Sequence, residues 1–190
     1  MTRRGLGCMP DLTHLRTSPV LTASPGVRML PHATRYVLRG GPQVMLAAGD
    51  ALGLVIASEP CRSTASAKHA ALWLGPDEQL LIGQEADGSD LGSLLREKLA
   101  GLPCSIVDIS HRQIALEISG PHAQTLLSVG CPLDLDTAGF PRGMCTRTLL
   151  GKANVVLWRT QTHTFHLEIW RSFADYVTRF LAEAGRELAC

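Results

Sequence analysis

No CxxC pair, HExxH helix motif, GxxxxGK[ST] loop or GxGxxG turn occurs anywhere in these 190 residues. Zinc ribbons, dithiol redox centres, zincin-type hydrolases, P-loop phosphate sites and Rossmann dinucleotide sites therefore have no support. Charge of one sign is also missing: 18 Lys plus Arg against 17 Asp plus Glu leave a formal net charge of +1. Without a basic field there is nothing to hold a phosphate backbone or an anionic lipid surface, and nucleic acid is excluded as an expected partner. No apolar run reaches the roughly 18 residues that a membrane helix needs. The N-terminus has Arg3 and Arg4 but no continuous apolar segment of the secretory kind. Its Arg, its Ser and its lack of acids before Asp11 faintly suggest an organelle transit peptide, and a tail that waits for a partner is the plainer expectation.

What is present is a hydrophobic content of 45%, enough for one sizeable domain or two small ones packed together. The six cysteines, Cys8, Cys61, Cys104, Cys131, Cys145 and Cys190, are scattered. That spread suits reduced, packed thiols in a cytoplasmic protein, although an even count leaves disulfides formally open.

Prolines 10, 19, 25 and 31 interrupt any periodicity in residues 1–31, which read as an extended arm. Residues 32–190 read as the folded domain, with two ββα-type halves at about 32–103 and 104–190. A strand is expected at Thr34–Arg39, then a helix at Pro42–Ala51 with a Val44, Leu46, Ala47 stripe. Ala70–Leu74 and Gln79–Ile82 flank a Gly-Pro-Asp-Glu turn and read as a hairpin. Ser89 can cap a helix over Asp90–Ala100 whose Leu91, Leu94, Leu95 and Leu99 share a face, with Gly101 as its left-handed stop. Ser105–Ile109 and Gln113–Ser119 read as a second hairpin, and Pro121 opens a short helix with Ala123, Leu126 and Leu127 inward. Thr146–Trp158 and Thr164–Trp170 read as long strands. A closing helix, capped by Ser172, carries Phe173, Tyr176, Val177, Phe180, Leu181, Ala184 and Leu188 at spacings of three and four. The order predicts an α+β fold of antiparallel sheets with helices packed on one face.

The densest collection of chemistry is the stretch GCPLDLDTAGFPRGMC, Gly130–Cys145. Asp134, Asp136 and Gly139 occupy the first, third and sixth places of an EF-hand loop, but Ala138 and Cys145 stand where further oxygen ligands belong. Cys131 follows a helix C-terminus, which raises a thiol pKa, and Cys145, near Arg142 and Arg147, reads first as a small packed hydrophobe. His163 and His166 lie three apart, on opposite faces if the chain is extended, and His111 and His122 have no metal-ligand spacing. Asp108 and Glu117 would need a cleft to act as acid and base; pairing with Arg112 or a turn cap is the simpler expectation. Trp73, Trp158 and Trp170 all fall on strands and are expected to fill sheet faces, with an exposed aromatic ledge as the minority reading. No catalytic or metal residue is nominated, and cofactor-binding residues are left unassigned.

Four segments in order, AALWLGPDEQLLIG (70–83), VDISHRQIALEISGPHAQTLLSVGCPLDL (107–135), FPRGMCTRTLL (140–150) and RSFADYVTRFL (171–181), resemble the gamma-subunit family of heterotetrameric sarcosine oxidase. The similarity runs from about Thr34 to Leu188, and LRTSPV (15–20) resembles the basic Ser-Pro element of that family's arm. The resemblance implies a structural subunit without catalytic residues, in a complex that demethylates sarcosine to glycine with O2 and tetrahydrofolate. The products would be hydrogen peroxide and formaldehyde or 5,10-methylenetetrahydrofolate. It further implies alpha, beta and delta partners, contact chiefly with alpha, and NAD, tetrahydrofolate, FAD, FMN and zinc carried by those subunits. The fold implied is that of the folate-binding aminomethyltransferases, whose Asp-x-Ser-His and Gly-x-x-Ala patterns match Asp108, Ser110, His111, Gly120 and Ala123. Two departures stand out. Arg142 occupies a place where the family commonly has proline, and the Lys-Gly-Cys-Tyr motif of the folate-dependent iron-sulfur assembly relatives is missing. A free-standing folate-binding or one-carbon transfer protein is the alternative, and a thiol enzyme using Cys131 or Cys145 the weakest rival.

Overall fold

The structure, a computed structural model, describes residues 26–84 and 90–188. The Leu15–Val20 element, Cys8, Cys190 and the Ser89 cap lie outside the described residues. Two five-stranded sheets, antiparallel throughout, are each covered on the outer face by two helices. Their inner faces meet at a seam.

Sheet B runs in the order β3 (Ser63–Ala65), β4 (His69–Gly75), β5 (Glu78–Gln84), β2 (Ala33–Gly40), β6 (Cys104–Asp108). Period-two alternation sends Tyr36 and Leu38 of β2 outward, where they pack with Val44, Ala48 and Leu52 of α1 (Pro42–Leu52) and Leu91 and Leu95 of α2 (Leu91–Lys98). The α1 stripe is therefore Val44, Ala48, Leu52, not one through Leu46, which is 71% exposed: the sheet meets α1 one position away from the face expected. The α2 cap is Asp90, which accepts from the Ser93 N–H at 3.2 Å.

Sheet A runs β1 (Gly26–Met29), β7 (Gln113–Ser119), β10 (Thr164–Trp170), β9 (Ala153–Gln161), β8 (Cys145–Leu150). Phe165, Leu167 and Ile169 of β10 face outward onto Ala123, Leu126 and Leu127 of α3 (Ala123–Ser128) and Val177 and Leu181 of α4 (Ala174–Glu187). Gly130 has to be glycine here, because a Cβ would stand 2.6 Å from the Phe180 ring. Gly26–Met29, within the segment read as an arm, is the edge strand beside β7.

Three expectations change. Ser105–Ile109 and Gln113–Ser119 do not form a hairpin: β6 pairs with β2 in sheet B, β7 with β1 and β10 in sheet A. Alternation fixes which face a residue occupies but not which strand is its neighbour, and the turn between them passes from one sheet to the other. The long strand over Thr146–Trp158 is a hairpin, β8 and β9, broken at Gly151, whose φ of 58° is left-handed. Ser172 lies within a 3₁₀ turn, Arg171–Phe173, and Phe173 is the α4 N-cap without a side-chain bond.

Candidate functional site

The seam carries a buried ion pair. Arg35 on β2 and Glu168 on β10 point inward from opposite sheets and bridge them, Nε to Oε2 at 2.7 Å, with side chains 1% and 0% exposed. His166 Nε2 meets the other carboxylate oxygen at 2.8 Å, and its ring lies 5.5 Å from that of Trp158. Burial alone would push the Glu168 carboxyl up; the His166 hydrogen bond and charge and the Arg35 guanidinium outweigh it and hold the group below the usual carboxylate range.

The seam opens on two sides of this bridge. One cleft, of about 650 Å³, has His32, Arg35, Lys68, His69, Trp158 and His166 among its walls. The other, a slot of about 630 Å³ between the sheet ends, has Val107, Arg112, Gln113, Leu149, Glu168 and Trp170. Where the chain crosses between sheets, Asp108 Oδ1 accepts from the Ser110 N–H at 2.8 Å and the Ser110 hydroxyl at 2.6 Å. These bonds hold its carboxyl below the ordinary range. Ser110 Oγ in turn accepts from the Arg35 N–H at 2.9 Å, and His111 lies 5.6 Å, ring to ring, from His32. The Asp-x-Ser-His pattern is thus the joint of the two sheets, and Gly120 and Ala123 form the turn into α3, N–H to carbonyl at 3.0 Å.

The remaining candidates disperse. Asp134 and Asp136 accept from the backbone N–H groups two residues on, at 2.9 Å each, and shape the loop. Arg142 Nε donates to the Thr160 carbonyl at 3.1 Å, and Arg147 pairs with Glu78. Cys131 is buried beside Thr148, Sγ to Oγ1 at 3.8 Å. Cys145 lies in the seam with its Sγ 3.7 Å from the Trp73 carbonyl, and burial pushes its thiol up to about 12. Such a thiol is no nucleophile at neutral pH. His163 is exposed at the β9–β10 turn while His166 faces the seam, and His122 precedes α3 without a side-chain cap. Among the described residues no group of three or more His, Cys, Asp or Glu could hold a metal ion. Asp108 caps its turn as expected, whereas Glu117 pairs with Arg28 at 2.9 Å and Arg112 lies 5.2 Å over Trp170. Trp73 and Trp158 pack in the seam; Trp170 is 45% exposed.

Missed altogether were Arg35, Glu168 and Arg159. Arg159 is 0% exposed, donates from Nη2 to the Leu135 carbonyl at 2.6 Å and lies 4.6 Å over the Phe165 ring. Burial lowers its pKa, partly offset by Asp136. It ties down the Gly130–Cys145 stretch from below.

A profile of the sarcosine oxidase, gamma subunit family matches residues 40–187, over half of the chain. The chain belongs to this family. Its relatives include the sarcosine oxidase subunit gamma of Corynebacterium sp. (strain U-96), 30% identical over 168 residues, 88% of this chain and 77% of that one. The subunit gamma proteins of Corynebacterium sp. (strain P-1) and of an Arthrobacter species are 36% and 37% identical over 120 residues, 63% of this chain. In those two the match spans 58% of their length. Among solved structures, the heterotetrameric sarcosine oxidase from Corynebacterium sp. U-96 contains a chain that superposes with a TM-score of 0.86 at 26% identity, over 94% of this chain and 95% of that one. Aminomethyltransferase T of the Bartonella henselae glycine cleavage system follows at 0.60 and 15% identity, over 88% of this chain and 47% of that one, a likeness of fold alone. The family's fold is thus the α+β, aminomethyltransferase-like one expected from the sequence.

Proposed function

We propose that this chain is the gamma subunit of a heterotetrameric sarcosine oxidase and serves it structurally. The complex would oxidatively demethylate sarcosine to glycine with O2 and tetrahydrofolate, releasing hydrogen peroxide and formaldehyde or 5,10-methylenetetrahydrofolate. FAD, FMN, NAD, tetrahydrofolate and zinc belong in this reading to the alpha, beta and delta subunits, with alpha the main contact and the cytoplasm the location. Residues 32–190 are the docked domain, in halves of about 32–103 and 104–190, and residues 1–31 its arm, of which Gly26–Met29 is laid as a strand against β7. The observation that carries the reading is the superposition, nearly end to end, on a chain of a heterotetrameric enzyme of that activity. It is supported by a seam whose charges are spent on one another rather than aimed at a reacting atom.

The test is co-expression of the tagged chain with the other three subunits from the same genome. Co-elution of all four, with a flavin spectrum and sarcosine-dependent peroxide, is expected, and the chain purified alone should make no peroxide. Peroxide from the chain alone, or its elution without partners, overturns the reading. The cleft walled by Lys68, His69, Trp158 and His166 favours a second reading, a folate-binding or one-carbon transfer protein. Calorimetric titration of the isolated chain with tetrahydrofolate checks it, and absence of heat rejects it.

A further inference from the structure

We infer that the slot between the sheet ends seats an apolar segment of a partner subunit, one that also carries a carboxylate. This rests on the proposed membership of a multi-subunit oxidase and names the surface involved. Seven large hydrophobic residues are exposed among the described ones, and three of them, Val107, Leu149 and Trp170, line this one slot from three different strands. Scattered apolar residues need no explanation, but a convergence around a groove marks a contact surface.

The rim narrows the occupant. Val107, Leu149 and Trp170 are 49%, 43% and 45% exposed, so a small ligand in the slot would stay largely uncovered, whereas small-molecule sites enclose most of their ligand. Only a body extending beyond the slot covers all three. Of the charges around the slot, Glu168 is held by Arg35 and His166, and Glu78 by Arg147. Arg112 has its guanidinium over the Trp170 ring, 5.2 Å from the centroid, rather than on a carboxylate. Among the described residues the slot therefore offers one basic group without an acidic counterpart, and a carboxylate on the partner complements it. Trp and Arg stacked in a partly desolvated groove are the residue types that dominate interface energetics.

The experiment uses the co-expressed complex. Val107→Glu and Leu149→Glu place a carboxylate on the exposed rim without touching the cores, and Leu46→Glu and Val55→Glu do the same at exposed sites elsewhere. Recovery of the partner subunits with the tagged chain should fall at least tenfold in V107E and L149E, with the circular dichroism and Tm of the parent. Arg112→Glu should act the same way and Arg112→Lys largely retain binding, while L46E and V55E recover partners as the parent does. Full recovery with V107E and L149E, or equal loss with L46E and V55E, overturns the assignment and leaves the subunit role standing. A dimer of the isolated chain that V107E dissociates would also overturn it, by giving the slot to a second copy. If the unsubstituted chain recovers no partner, the subunit role itself fails and the slot assignment with it.

Discussion

The outer layers and the seam are built from the same strands, yet they are held by different physics. Outward positions such as Leu38, Leu167 and Phe165 sit under helices in cores that are almost wholly apolar. Inward positions hold Arg35, Glu168 and His166 beside apolar side chains such as Leu72, Leu80 and Val156. Apolar packing is non-directional and tolerates exchange of similar volumes, whereas a buried ion pair has one workable geometry. The difference teaches that helices and sheets are secured by the outer cores, and the relation of one sheet to the other by a third apolar cluster into which one buried ion pair is set.

The largest effect expected follows from stranding one charge. Arg35→Met leaves the buried Glu168 with only His166 beside it and should lower stability by about 4 kcal/mol in denaturant melts. Adding Glu168→Leu should restore most of that loss; no recovery in the double variant would show that the bridge is not what joins the sheets. Next comes Leu126→Ala in the outer core, at about 3 kcal/mol by the same measurement, with partner recovery unchanged at temperatures where the variant is folded. Alkaline melts give the third comparison. The Cys145 thiol is raised to about 12 in the folded state, so above pH 9 the unfolded chain releases a proton that the folded one keeps. Stability is whole below pH 9 and falls by about 1.4 kcal/mol per pH unit as pH rises toward the folded value. Cys145→Ala should flatten that limb. The smallest effect is Asp90→Ala at the α2 cap, a slight lowering of the denaturant midpoint that is local to the outer layer of sheet B.

The outer layers were legible in the sequence because a helix or a half-covered strand shows its buried face as periodicity. The leucines of α2 and the inward side of α3 could be read directly. The seam was not, because alternation assumes that one face of a strand meets water. Arg35 in TRYVLR and Glu168 in HLEIW alternate with apolar residues and read as solvent-facing, whereas both faces of these strands are covered. A weak signal existed: opposite charges set among apolar residues in two central strands. The passage of the chain from β6 to β7 between sheets was equally hidden, since Asp108 and Ser110 suit a hairpin turn as well as a crossing. The Gly130–Cys145 loop drew attention through its cysteines and aspartates, but the residue that organises it, Arg159, lies outside the stretch.

One further feature bears on how the molecule comes apart. Arg62 bridges Met144, the Cys145 N–H donates to the Cys61 carbonyl at 2.9 Å, and the Ser63 N–H to the Gly143 carbonyl at 2.9 Å. These main-chain links stitch the β3 side of sheet B to the β8 side of sheet A, far in sequence from the Asp108–Ser110 crossing. With backbone ties at both places, neither half can open like a book without breaking main-chain hydrogen bonds to the other. Amide protons on β4 and β9 should therefore exchange through a common global opening, and the protein should melt in a single cooperative transition rather than as two independent foldons.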